Sequence, residues 1–228
     1  MKQLMIMTAA LVCMAVAPCA FADDGFHVNP QTFVGNLGDC GPNYPAGSDI
    51  VTAGWLSGMG LPDNGGLNTT AADLATNPNK KDPHEGLLLS KNGPTTDCSS
   101  AGAKITGVQG ITLSQLGFDI RNGTHCGGGA PRFNVTASDG SHFVGNCAVG
   151  TQSPAPQDPA AWTRVRFTPA QAVPPITPGA TVKSIEIVFD EGTDNPPGAG
   201  LAVIDNIDIN GVLVGRGPAG GNGEKGGN

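Results

Sequence analysis

Residues 116–147 read LGFDIRNGTHCGGGAPRFNVTASDGSHFVGNC, and their pattern decides the fold. Three short runs, Gly117–Arg121, Arg132–Ala137 and His142–Asn146, alternate apolar and polar residues between glycine-rich turns. Successive side chains on a strand point to opposite faces, so a period of two with turns this close predicts antiparallel strands. Cys126 and Cys147 bracket the last two runs.

Upstream, MKQLMIMTAALVCMAVAPCAFA carries Lys2 and an apolar run, and ends on small residues at Ala20 and Ala22. This predicts a signal peptide over residues 1–22, cleaved after Ala22, and a secreted protein (extracellular, cell-surface or periplasmic). Pro18 before Cys19 argues against a lipidated N-terminus. No later run approaches the roughly 20 apolar residues of a transmembrane helix, so no membrane span is expected. The formal net charge is −7, and removing Lys2 with the leader makes it more negative still. Nucleic acid and anionic membrane surfaces call for a basic footprint, so neither is expected as a partner.

Beyond the leader stand Cys40, Cys98, Cys126 and Cys147. An even number in an exported chain predicts disulfides, with three pairings open. The favoured pairing is Cys126–Cys147, which flanks neighbouring strands, with Cys40–Cys98. The spacing fits neither a zinc knuckle nor a redox CxxC.

Thirty-five glycines, nineteen prolines and few aromatics, without helical periodicity, point to a turn-rich all-β chain. Residues 23–50 read as an irregular entry segment pinned by Cys40, residues 51–214 as one β-sandwich domain, and residues 215–228 as a glycine-rich disordered tail. Strands are expected at Val51–Leu56, Glu85–Lys91, Lys104–Val108, Ile111–Leu113, the central triplet, Trp162–Thr168 and Val182–Asp190. Leu201–Val214 follows, broken by the hairpin dipeptide Asn210-Gly211. Residues 150–160 and 169–179 read as proline-rich loops. Alternation puts Lys183, Ile185, Ile187 and Phe189 on one face of their strand. About nine strands without room for crossover helices make an antiparallel β-sandwich, a jelly roll first and an immunoglobulin-like sandwich second.

The order FDIR, RFNVTASDG, WTRVRF, VKSIEIVFDEG, AVIDNIDING over residues 103–214 resembles the galactose-binding-like jelly-roll modules attached to extracellular glycoside hydrolases. The resemblance implies a carbohydrate-binding role and a structural calcium near the final strand, with Asp205 supplying oxygen. Alternation groups Leu201, Val203, Asp205, Ile207 and Ile209 on one face, where a carboxylate needs a partner. Calcium is one such partner. Backbone amides in a turn, or solvent at a sheet edge, are the others.

If Phe118, Ile120, Phe133, Val135, Val165 and Phe167 face the core, the pleat gives the opposite face Asp119, Arg121, Arg132, Asn134, Trp162, Arg164 and Arg166. Arginine with an exposed tryptophan can stack on and hydrogen-bond a sugar, or clamp a carboxylate. Cross-strand ion pairs on a solvated face explain the same residues. The polysaccharide or glycoconjugate partner therefore stands beside other copies of the chain, as an adhesive or structural protein would use. A hydrolase ranks third and no enzyme is expected. His27, His84, His125 and His142 fall in or beside loops, without an HExxH or GxSxG frame. Asp190 and Glu191, being adjacent, would point apart on a strand.

Overall fold

The computed structural model describes residues 25–61, 85–194 and 200–215. The expected signal peptide, His84 and all of the expected tail but Gly215 lie outside the described residues. In chain order the strands are β1 (His27–Val34), β2 (Val51–Leu56), β3 (Gly86–Lys91), β4 (Ser99–Thr106), β5 (Leu116–Arg121) and β6 (Arg132–Ala137). They continue as β7 (Gly140–Gly145), β8 (Thr151–Pro154), β9 (Trp162–Phe167), β10 (Val182–Phe189), β11 (Leu201–Ile209) and β12 (Val212–Val214). One sheet has the order β1-β4-β10-β6-β7; the other runs β2-β3-β11-β5-β9-β8, with β12 paired to β11. All these pairings are antiparallel. The all-β antiparallel sandwich expected from the sequence is the fold.

Alternation builds the core. Leu116, Phe118 and Ile120 of β5 face Ile185, Ile187 and Phe189 of β10 across the sandwich, all buried. Phe118, Phe133 and Phe167, drawn from both sheets, meet with ring centroids 5.8–6.2 Å apart. Burial of each such side chain contributes about 1.5–3 kcal/mol. Trp55 packs against this core and donates its indole N–H to the Val28 carbonyl at 3.1 Å, tying β2 to β1 of the other sheet.

Two strands escape the sequence pattern. β1 lies in the segment expected to be irregular, and β8 in a proline-rich loop. Both pair on one side only, with β4 and β9, and each contains a proline. Proline cannot donate to a ladder but is tolerated at an edge, and an edge strand needs no fully apolar face. Ile111–Leu113 forms no strand, Thr112 making only an isolated bridge to Thr181. Its neighbour β4 starts earlier than expected, on the small residues Ser99–Gly102.

Two register shifts break the alternation. Between Val182 and Ser184 of β10 a shift leaves Val182 and Ile185 buried and ejects Lys183 to solvent, not into the row with Ile185. In β11 the shift spans Asp205 to Asp208, with Asn206 at φ 45°. Ala202, Ile204, Ile207 and Ile209 join the main core, whereas Val203 belongs to a separate cluster on the other side of the sheet. The expected row from Leu201 to Ile209 is therefore split by the bulge.

The disulfides follow the favoured pairing. Cys126–Cys147 has a Cα–Cα distance of 5.4 Å and Cys40–Cys98 one of 5.7 Å. The second ties the loop after β1 to the start of β4.

Candidate functional site

The pleat fixes alternation along a strand but not the sheet the strand enters. β5 and β9 sit in the seven-stranded sheet and β6 in the five-stranded one. The single polar face expected from the sequence is therefore two, on opposite sides of the molecule. Asp119, Arg121, Trp162, Arg164 and Arg166 belong to one, and Arg132 and Asn134 to the other.

On the seven-stranded sheet, Asp119 is fully buried. Arg164 grips its carboxylate through Nε and Nη2 at 2.9 Å each, and Asn206 Nδ2 donates to Oδ2 at 2.9 Å. Arg166 reaches the same carboxylate at 3.2 Å, and its Nε meets Asp208 at 2.7 Å. Gln115 donates to Asp208 at 2.6 Å. The hydrogen bond to Asp119 raises the Arg164 pKa, whereas burial lowers that of Arg166 against the pull of Asp119 and Asp208. Trp162 is 3 % exposed, packed with Leu61, Ala155 and Val203 under the chain that follows β2. It cannot stack on a ligand, and this correction follows from a loop covering the face that alternation left open. Only Arg121 remains exposed at the strand end. These residues form a buried electrostatic lattice (charges paired because bare burial is costly) rather than a recognition surface.

Asp205 lies beside this lattice. Its Oδ2 accepts the Leu61 amide at 2.8 Å and its Oδ1 the Asn206 amide at 2.7 Å. Amide hydrogens thus face both carboxylate oxygens, where calcium demands six to eight oxygen ligands. Among the described residues no group of three or more His, Cys, Asp or Glu side chains is placed to hold a metal. Calcium has no part in the function proposed below.

The five-stranded sheet presents a different surface. Its outer face carries an open groove of about 770 Å³. The register aligns Gln31, Gly102, Val188 and Arg132 in one cross-strand row, and Asn29, Lys104, Glu186, Asn134 and Phe143 in the next. Gly102 forms bare floor: a Cβ there would stand 2.2 Å from the Ile187 carbonyl oxygen, which as backbone cannot yield. Phe33 and Tyr44, each nearly half exposed, wall one side. Tyr44 stands on the loop held by the Cys40–Cys98 disulfide.

Arg132 is locked in this groove. Its two terminal nitrogens bind Asp190 bidentately at 2.7 Å each, Nε donates to Asn134 Oδ1 at 3.1 Å, and Nη1 also reaches the Gly129 carbonyl at 3.3 Å. Its guanidinium lies 5.9 Å from the ring centroid of Phe143. At the groove end Lys91 is fully buried, its ammonium donating to the carbonyls of Thr95, Asp97 and Asp190 at 2.6–3.0 Å. Burial lowers its pKa, opposed by the carboxylates of Asp190, Asp97, Asp194 and Glu191. Because β10 ends at Phe189, strand alternation does not govern Asp190 and Glu191, and both line the groove.

Sequence reasoning thus found Arg132 and Asn134 but missed Phe33, Tyr44, Glu186 and Asp190. The first two lie in the segment without alternation, and the register that aligns Glu186 with Asn134 is a product of folding. The signal available beforehand was Cys40, which brings its loop to a strand end. His125 and His142 are buried, with ring nitrogens facing the carbonyls of Gly127 and Pro174. His27 opens β1.

Comparison with known proteins returns no match: no family model matches the chain, and no curated protein or solved structure matches it. No helix among the described residues is long and apolar enough to cross a membrane.

Proposed function

We propose that this is an exported, non-catalytic β-sandwich protein that binds an extended glycan in the groove of the five-stranded sheet. The observation that carries the reading is the groove's construction. A floor of strand-borne polar side chains, Gln31, Ser100, Asn134 and Glu186, runs beside the exposed rings of Phe33 and Tyr44. Sugars combine hydroxyl rims with apolar ring faces, which such a floor and such rings complement. The pairings β3 with β11, β4 with β10, β5 with β9, and β6 with β7 support a jelly roll over an immunoglobulin-like sandwich. With β1, β2, β8 and β12 set aside, the remaining eight strands pair first with last and so on inward, like one long ribbon rolled up. The motif order resembling galactose-binding-like modules, the leader sequence and the disulfides support a secreted binding module.

Pull-down on insoluble polysaccharides tests the reading. Retention should fall about five- to tenfold in Tyr44→Ala, the scale of one lost stacking contact of about 1–1.5 kcal/mol. A second reading, self-association, is favoured by exposed Val34, the last residue of edge strand β1, and exposed Leu37 just beyond it. Concentration-dependent growth in light scattering, lost in Leu37→Glu, would support it in place of glycan binding.

A further inference from the structure

We infer, resting on the groove reading above, that the ligand is a glycan bearing protonated amines rather than a neutral or uronate polymer. Six charged side chains line the groove: Arg132, Lys91, Asp97, Glu186, Asp190 and Glu191. Both cations are consumed internally. Arg132 commits four of its five N–H donors to Asp190, Asn134 and Gly129. Lys91 commits all three to backbone carbonyls. Among the lining residues, an incoming carboxylate or sulfate would therefore meet several carboxylates that repel it and no cation with more than one donor open; Lys104, exposed across from Glu186, stands outside the lining.

Among the carboxylates, Asp190 is held by Arg132, Glu191 meets the Thr95 hydroxyl at 3.4 Å, and Asp97 accepts from Ser48 and Ser99. Glu186 differs. It projects from the middle of the floor between Lys104 and Asn134, half-buried, and makes no hydrogen bond or ion pair among the described residues. Lys104 stands directly across but is exposed and closes no pair with it. A ligand lying on this floor removes water from Glu186, and burying an unpaired carboxylate is costly. A hydroxyl offsets that cost with one charge-assisted hydrogen bond. An ammonium offsets it with a hydrogen bond and the opposite charge. The chain's overall acidity draws a polycation toward the same face.

Calorimetric titration of the intact protein with three oligomers of matched length tests this: glucosamine, its N-acetylated counterpart and galacturonate. The glucosamine oligomer should bind at least about tenfold tighter than the acetylated one, and galacturonate should not bind. In Glu186→Gln, near-identical in shape, the preference should vanish with the melting temperature unchanged. Equal affinity for the first two oligomers, a preference that survives Glu186→Gln, or no binding of glucosamine overturns the amine assignment. Glucosamine binding that Tyr44→Ala leaves untouched puts the ligand elsewhere and overturns the groove reading itself.

Discussion

Asp119 shows how a residue's role depends on what covers it. In the sequence it is one of several charges on an alternating face; in the fold it is a buried carboxylate held by Arg164, Arg166 and Asn206. Asp119→Ala strands two partly buried guanidinium groups, and the loss should be about 3–5 kcal/mol in urea unfolding. A change below about 1 kcal/mol, the range of exposed pairs, would mean that the lattice is solvated. Asp139 gives a pH-dependent case. Hydrogen bonds from the Thr177 amide, with His142 Nε2 at 3.0 Å, lower its carboxyl from 3.8 to about 2. The folded-state pKa lies below the unfolded one. Its contribution is therefore full above the unfolded value and lost as pH falls from 3.8 toward 2. Acid unfolding of Asp139→Asn should accordingly show a flatter stability profile in that window, and an unchanged profile would reject the assignment. Neither role was legible beforehand, because alternation names a side chain's direction and not its neighbours.

At the scale of elements, the sequence spoke clearly wherever a strand buries one face. β5, β6, β9 and β10 fall within a residue of their expected limits because their apolar residues recur with the pleat. Edge strands β1 and β8 carry no such mark, and bulges at Lys183 and Asn206 invert the pattern midway without a distinctive residue signal. The groove was half legible for the same reason. Arg132 and Asn134 come from a patterned strand, whereas Phe33 and Tyr44 come from β1 and the loop beyond it. That loop is placed by the Cys40–Cys98 disulfide, which closes a separation of 58 residues. Replacing both cysteines by serine should cost about 2–4 kcal/mol in thermal or denaturant unfolding. It should also weaken glycan retention by freeing Tyr44. Retention equal to the wild type would mean that Tyr44 is not part of the wall.

The whole molecule is a sandwich with two unlike outer surfaces. One is covered: Met59 and Leu61 lie over Trp162 and Val203, and the arginines beside them are paired with buried carboxylates. The other carries the groove, where Arg132 and Lys91 are tied down while the rings of Phe33 and Tyr44 and the Glu186 carboxylate are not. An open polar trough, built on rigid strands and walled by a disulfide-held loop, is suited to hold a chain-like ligand without rearrangement. The most direct measurement is glycan-array binding by three proteins of matched melting temperature. These are the wild type, a groove variant combining Tyr44→Ala with Asn134→Ala, and Arg121→Ala on the opposite face. The wild type and Arg121→Ala should share the same bound glycans, and the groove variant should lose them. Glycan signals that persist in the groove variant, or disappear in Arg121→Ala, would contradict the site.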